Sequence, residues 1–66
     1  NNLFMNIIIL GAGQVGGTLA ENLVLEANNV TIIDQDEKRL QQLQHRLDIR
    51  TVAGFASYPD ILILFP

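Results

Sequence analysis

An α/β fold built on a parallel sheet is predicted by three features of the 66-residue sequence. Short runs of β-branched and other apolar residues occur three times, and each run ends at a glycine or an aspartate. Two stretches with leucines at helical spacing lie between these runs. Strands that alternate with helices over short connections must be parallel, with right-handed crossovers. We therefore expect one βαβαβ unit over residues 1–66, with residues 1–4 as a possible foreign remnant ahead of Met5.

The first strand and the first helix have the strongest patterns. Ile7–Leu10 is a continuous apolar run, typical of a parallel strand that is covered on both faces. Apolar residues at four-residue spacing then predict an amphipathic helix over residues 14–27. The stripe consists of Val15, Leu19 and Leu23. Asn28 and Asn29 are expected to end this helix, because asparagine tolerates the left-handed conformation of a helix end.

The same alternation continues through the second half of the chain. Val30–Ile33 predicts a second buried strand, and Arg50–Ala53 predicts a third. Between them, Asp36 is expected to cap a helix over residues 37–47. Glu37 would add negative charge to the first turn of that helix, where the helix dipole favours it.

Composition and charge narrow the functional classes. The chain has four basic and seven acidic residues and no basic run, so no nucleic-acid partner is expected. Without cysteine there are no disulfides and no thiolate zinc sites, which suits a cytoplasmic protein. The longest apolar run, about five residues, is far below the ~20 that span a bilayer, so no direct membrane insertion is expected.

A glycine-rich turn joins the first strand to the first helix. Its sequence is Gly11-Ala12-Gly13-Gln14-Val15-Gly16. Gly11 permits a tight turn, Gly13 leaves the backbone open to a pyrophosphate, and Gly16 lets the helix pack close to the strand. Free N–H groups at the helix start would then face the anion. No lysine follows in the order of a Walker-type P-loop, which excludes that motif.

An acidic residue at the end of the second strand strengthens this interpretation. Asp34 lies eighteen positions after Gly16, near the expected ~20. Its carboxylate can accept hydrogen bonds from the ribose hydroxyls of an adenosine, and it would repel a 2′-phosphate, so it favours NAD over NADP. Turn and acid together predict the N-terminal half of a Rossmann-like doubly wound sheet that binds a nucleotide. A glycine turn of merely structural use is the alternative.

Other polar and aromatic residues have simpler interpretations. Asp36 is expected to be a helix cap, with a second ribose or adenine contact as the alternative. Phe55 could stack on an adenine ring, although a core or rim aromatic is favoured. His45 lies on a polar helix face without a partner at metal-ligand spacing. No set of nucleophile, base and orienting residue is present, so neither an enzyme nor a metal site is expected.

Three motifs follow one another along the chain. They are GAGxVG at residues 11–16, IDxDxxRL at residues 33–40 and GxAS-x-PD at residues 54–60. Together with Leu19–Leu23 and Arg39–Leu43, they make residues 5–62 resemble the N-terminal nucleotide-binding domain of TrkA-type potassium-uptake regulators, the RCK or KTN domains. The combination of motifs is fairly specific, whereas the glycine turn by itself is not.

The resemblance implies a regulatory and non-catalytic role. Such proteins are cytoplasmic subunits that bind NAD(H) or, alternatively, ATP and ADP, and assemble at the inner face of the membrane beneath a potassium-translocating subunit. The resemblance places the phosphate turn at the three glycines and the ribose acid at Asp34. The predicted cofactor-binding residues are Gly11, Ala12, Gly13, Gln14, Val15, Gly16, Asp34, Gln35, Asp36, Arg39, Gly54, Phe55 and Ala56.

Two other functions remain open at this stage. The chain could be the N-terminal fragment of an NAD-dependent dehydrogenase, with catalytic residues beyond Pro66. It could also be a purely structural domain with an empty turn. The same half-sheet serves all of these functions, so the fold does not separate them.

The last residues carry a separate expectation. Family chains continue beyond this length, so a truncated domain is expected, with the first strand left as an open apolar edge. Seven residues between Ala53 and Ile61 are too few for a parallel crossover back to that edge. Ser57 is expected to begin a helix, and residues 61–65 to extend it, fold over the crevice or pair with a neighbour. A symmetric homodimer or higher homo-oligomer is therefore predicted.

Overall fold

The computed structural model describes residues 5–54 and 60–64 and contains two helices and four strands in these ranges. In chain order the elements are β1 (Asn6–Leu10), α1 (Gln14–Leu25), β2 (Asn29–Asp34), α2 (Glu37–Arg46), β3 (Arg50–Ala53) and β4 (Asp60–Leu64). The sheet order is β3-β2-β1-β4. The pairs β1–β2 and β2–β3 are parallel, which confirms the predicted βαβαβ half of a Rossmann-like sheet.

The core lies between one face of the sheet and both helices. Alternate strand residues point toward the helices and are buried, while α1 contributes Ala20 and α2 contributes Leu40 and Leu43. The buried strand residues are Ile7, Ile9, Val30 and Ile32. Gly17 of α1 lies next to the side chain of Leu43 in α2, so the two helices approach each other at this point. Burying these aliphatic side chains stabilises the fold by roughly 1.5–3 kcal/mol each.

The opposite face of the sheet is only half covered by the described residues. Ile8, Leu10 and Ile33 have intermediate exposure, and Val52 is 48% exposed. The expectation that β1 is buried on both faces therefore holds for one face of the described structure. Residues of both helices share one buried cluster with the strands, so α1 and α2 lie on the same side of the sheet, as expected for two right-handed crossovers.

Helix α1 ends two residues earlier than predicted, and asparagine is not its left-handed residue. Ala27 has φ 64°, and its N–H donates to the carbonyl of Val24, while the N–H of Asn28 donates to that of Leu23. This is the hydrogen-bond pattern of a Schellman motif. Asn28 acts through its side chain instead: its Nδ2 donates to the Leu23 carbonyl, and its Oδ1 accepts from the N–H of Met5.

Strand β4 overturns the expectations for the last residues of the chain. Asp60–Leu64 pairs antiparallel with β1 of the same chain, with Asp60 opposite Leu10 and Leu64 opposite Asn6. The edge of β1 is therefore occupied by the same chain, so residues 60–64 neither extend a helix nor pair with a neighbouring molecule. A strand parallel to β1 would need a long crossover back to the amino end of the strands. An antiparallel strand needs none, because it begins at the carboxyl end of the strands, where β3 finishes. The predicted helix start at Ser57 lies outside the described residues.

The helices are also short relative to a lipid bilayer. In the part of the chain that the structure describes, neither α1 nor α2 has the length and apolarity needed to cross a membrane.

Candidate functional site

The glycine turn lies where β1 ends, at the carboxyl edge of the parallel strands. Gly11 has φ 108°, a backbone conformation that residues other than glycine rarely adopt. Its N–H donates to the carbonyl of Ile33 at 2.8 Å, which extends the β1–β2 ladder by one bond. A Cβ at Gly16 would overlap the carbonyl oxygen of Gly11. Both glycines are therefore required by the backbone itself, because the start of α1 lies directly against the turn.

Gly13 differs from these two glycines, because nothing in the fold occupies the space beside it. It is the N-cap of α1, with φ −67° and ψ −174°, and a Cβ built on it meets no atom within 4 Å. No side chain caps α1 and no acidic residue lies in its first turn. Among the described residues, none accepts a hydrogen bond from the N–H groups of residues 13–16. These groups form an open, partially positive surface that suits an anion.

The start of helix α2, unlike that of α1, is capped by a side chain of the same chain. The Asp36 carboxylate accepts a hydrogen bond from the N–H of Arg39 at 3.3 Å, and Glu37 lies in the first turn. The Arg39 Nε also lies 3.8 Å from the Asp36 carboxylate. The predicted cap at Asp36 is thus confirmed. In contrast to α1, α2 has a side-chain acceptor for one of its first N–H groups and an acidic residue in its first turn.

Asp34 connects the end of β2 to the glycine turn. Its Oδ2 accepts from the N–H of Ala12 at 2.6 Å, and its Oδ1 accepts from the N–H of Asp36 at 2.7 Å. These two bonds, the first more strongly, hold the pKa of Asp34 below its ordinary value. Partial burial opposes this lowering of the pKa, and the positive charge of Arg39 supports it. The group is therefore an ionised acceptor at neutral pH.

A second region of the site lies beside Asp34, between the ends of β2 and β3. The N–H of Gly54 donates to the Asp34 carbonyl at 3.0 Å, so the end of β3 is fixed next to Asp34. A shallow cavity of about 510 Å³ opens here. It is lined by Gln35, Asp36, Glu37, Lys38, Ala53 and Gly54. Three predicted cofactor-binding residues, Gln35, Asp36 and Gly54, thus share one cavity.

Of the other predicted residues, one is largely exposed and two lie outside the described ranges. Val15, in the first turn of α1, is 82% exposed. Phe55 and Ala56 lie outside the described residues. Residues 5–54 and 60–64 contain no cluster of three or more potential metal ligands. Another cavity, of about 410 Å³, lies at the opposite, amino end of the strands, where no site residue was predicted.

One contact of the site was missed by sequence reasoning: the bond from the Ala12 N–H to the Asp34 carboxylate. The signal for it was present in the parallel register. Leu10 pairs with Ile33, so Gly11, directly after β1, lies level with Asp34, the last residue of β2. The short side chain of Asp34 then reaches the neighbouring turn.

Comparison with known proteins identifies the family of the chain. Residues 7–65 match the family described as the TrkA-N domain. The chain belongs to the TrkA-N domain family. This confirms the family resemblance drawn from the three sequence motifs.

Relatives of the TrkA-N chain carry a consistent name. Over 58 residues, 88% of the chain, it is 66% identical to the Trk system potassium uptake protein TrkA of Halomonas elongata and 64% identical to that of Vibrio alginolyticus. The protein of the same name from Streptomyces coelicolor is 34% identical over 58 residues. The chain spans 13% of the length of the first two relatives and 26% of the third.

Proposed function

We propose that this TrkA-N chain is a regulatory nucleotide-binding module of a potassium uptake system. The observation that carries the proposal is the open start of α1, whose free N–H groups lie beside the ionised carboxylate of Asp34. A diphosphate needs the first feature, and the ribose attached to it needs the second. A purely structural glycine turn would need neither the empty space at Gly13 nor a helix start that no side chain caps.

The ligand proposed for this site is NAD(H), with ATP or ADP as the alternative. Its diphosphate would lie against the N–H groups of residues 13–16, and its adenosine ribose would donate hydrogen bonds to Asp34. The adenine would then extend toward the cavity beside Gly54. The negative charge of Asp34 disfavours NADPH, because a 2′-phosphate would be placed next to the carboxylate.

The proposed role is regulation without catalysis. The relatives are named as proteins of potassium uptake, which supports a partner that moves potassium across the membrane. We propose that the chain acts from the cytoplasm, peripherally at the inner face of the membrane, through such a subunit. Nucleotide exchange at the turn would change the contacts made with that subunit.

Assembly with further copies is part of the same proposal. The half-covered face of the sheet, with Ile8, Leu10 and Ile33, supports a homo-oligomer because a second copy of the chain could cover this apolar surface. The original reason for a dimer, an open β1 edge, no longer applies because β4 occupies that edge. Sedimentation of the chain at tens of micromolar tests assembly directly: a monomer there would contradict it.

Calorimetric titration of the 66-residue chain with NAD⁺, NADH, NADPH, ATP and ADP tests the binding function. We expect NAD(H) or the adenine nucleotides to bind, and NADPH to bind more weakly. Asp34→Ala should cost roughly 1.5–3 kcal/mol of binding free energy, as expected for hydrogen bonds to a charged acceptor. The matched control is Asp48→Ala, an exposed aspartate at the opposite end of the sheet. Equal affinity in the Asp34 and Asp48 variants would place the ligand elsewhere.

A further inference from the structure

The Asp34 carboxylate performs two tasks at once in this fold. In the proposed function it accepts hydrogen bonds from ribose, yet one of its oxygens is already bonded to the N–H of Ala12 in the glycine turn. Ala12 lies between Gly11, with its positive φ, and Gly13, the N-cap of α1. The acid of one strand end therefore fixes the backbone that follows another strand, 22 residues away.

We propose that Asp34 is a positioning residue for the phosphate-binding turn, in addition to being the ribose acceptor. This inference rests on the proposed function, because it assigns one side chain to two subsites of the same nucleotide. Within the described residues, the Ala12–Asp34 bond is the side-chain hydrogen bond that reaches the turn. It aims the following N–H groups, those of residues 13–16, in the direction from which a diphosphate would approach.

Burial makes this bond costly to lose. Ala12 is 4% exposed, so its N–H has little access to water. A buried donor without a partner carries a desolvation penalty, which the turn would avoid by rotating its peptide groups. Such a rotation would change the direction of the neighbouring N–H groups. The position of the anion site therefore depends on an acceptor at residue 34.

The two tasks are compatible because a carboxylate has room for both. Its two oxygens offer about four lone-pair positions in total. Ala12 and Asp36 occupy two of them, which leaves two for the 2′- and 3′-hydroxyls of a ribose. Ribose binding thus does not require Asp34 to release the turn. The sugar and phosphate subsites share one group and are fixed relative to each other.

Electrostatics alone predicts the opposite result, which makes the proposal easy to test. A negative charge beside an anion site repels a phosphate, so removing that charge should strengthen the binding of a ligand that consists of phosphate alone. If Asp34 positions the turn, the same substitution should weaken it. Inorganic pyrophosphate is the appropriate probe, because it has no ribose and can sense Asp34 only through the turn and through charge.

The experiment compares wild type with Asp34→Asn and Asp34→Glu, using Asp48→Asn as the matched control. Pyrophosphate and ADP are titrated while the amide NMR signals of residues 12–16 are followed. Asn removes the charge and replaces one acceptor oxygen by an NH2 donor, so it cannot accept from the N–H groups of both Asp36, two residues away, and Ala12. Glu keeps the charge but displaces the carboxylate. We expect about a tenfold loss of pyrophosphate affinity in both Asp34 variants, the size of one hydrogen bond to a charged group. Asp48→Asn should match wild type.

A readout without ligand separates this inference from the proposed function. The Ala12 amide should exchange its hydrogen at least about tenfold faster in both Asp34 variants than in wild type, while core amides such as Ile7 and Ile32 report an intact fold. Pyrophosphate affinity that is unchanged or higher in Asp34→Asn, with nucleotides still bound by wild type, overturns the positioning role alone. Wild type that binds neither pyrophosphate nor any nucleotide overturns the proposed function and the inference with it.

Discussion

Gly16 and Gly17 are neighbours in the first turns of α1, yet the fold uses them differently. A Cβ at Gly16 would overlap the backbone carbonyl of Gly11, which cannot move without distorting the turn. A Cβ at Gly17 would lie 3.3 Å from the Cδ2 of Leu43, the end of a flexible side chain. In the sequence, only the nucleotide-binding pattern of glycines separates Gly16 from Gly17. The structure supplies the physical reason for the difference.

Gly16→Ala and Gly17→Ala therefore form a matched pair on one helix. We expect Gly16→Ala to lower the free energy of unfolding by about 2 kcal/mol or more, through overpacking against backbone. Gly17→Ala should change it by less than about 1 kcal/mol, because the shift of Leu43 is offset by the better helix propensity of alanine. Urea unfolding measures both values. Equal stability of the two variants would contradict the close contact between α1 and the turn.

The sequence prediction of the left-handed residue at the end of α1 was wrong. Asparagine is a frequent left-handed residue at helix ends, so Asn28 and Asn29 were assigned to end α1. The structure gives the positive φ to Ala27, and the side chain of Asn28 makes two other hydrogen bonds. One of these bonds joins α1 to the residue before β1, a long-range contact that local propensity does not contain.

At the scale of elements, Asp34 joins the ends of β1 and β2 and links their stability to pH. The pKa of Asp34 is lowered in the folded chain, chiefly by the N–H groups of Ala12 and Asp36. The ionised form therefore stabilises the fold at pH values above the unfolded pKa. That contribution is lost as pH falls through the folded pKa, because protonation then occurs in both states.

We accordingly expect the stability difference between wild type and Asp34→Asn to depend on pH in one direction. Wild type should be more stable at neutral pH, and the difference should shrink as pH falls below the ordinary aspartate value of 3.8. Urea unfolding of both proteins between neutral and acidic pH measures it, with Asp48→Asn as the control. A difference that stays constant down to the acid limit would contradict the hydrogen-bonded, ionised state of Asp34.

The order of the elements could be predicted from sequence because each of the first five has its own local signal. The apolar runs, the leucine stripes and the cap at Asp36 are all local, and β3 was predicted with its observed bounds, Arg50–Ala53. The sequence of β4 contains no local signal that identifies the strand with which it pairs. The apolar run at its position fits a helix, a parallel strand or an antiparallel strand, and only the open edge of β1 decides among them.

At the scale of the whole molecule, the site follows from topology. The carboxyl ends of β1, β2 and β3 lie at one edge. The glycine turn follows β1, Asp34 is the last residue of β2, and Gly54 follows β3. Parallel strands with helical crossovers therefore bring these three features together from distant positions. This part of the site could be predicted from sequence, whereas the cross-turn hydrogen bond needed the three-dimensional register.

The position of β4 within the same chain also predicts how the molecule responds to dilution. Because β1 is paired on both sides by its own chain, the amides of β1 should be protected from hydrogen exchange equally in dilute and concentrated samples. Exchange at two concentrations that differ by about a hundredfold measures this. Protection of β1 that disappears on dilution would show that the second partner of β1 comes from another copy.

The most direct test of the nucleotide site is calorimetric titration of NAD⁺ into wild type and Gly13→Ala. A methyl group at Gly13 meets no atom of the fold and suits its φ of −67°. The weaker N-cap and the stiffer unfolded chain offset each other, so stability should stay within about 1 kcal/mol of wild type. Since the methyl group would occupy the path of the diphosphate, we predict that affinity falls by at least about tenfold, the size of one lost charged hydrogen bond. A Gly13→Ala chain that binds NAD⁺ as tightly as wild type would contradict a diphosphate held at this turn.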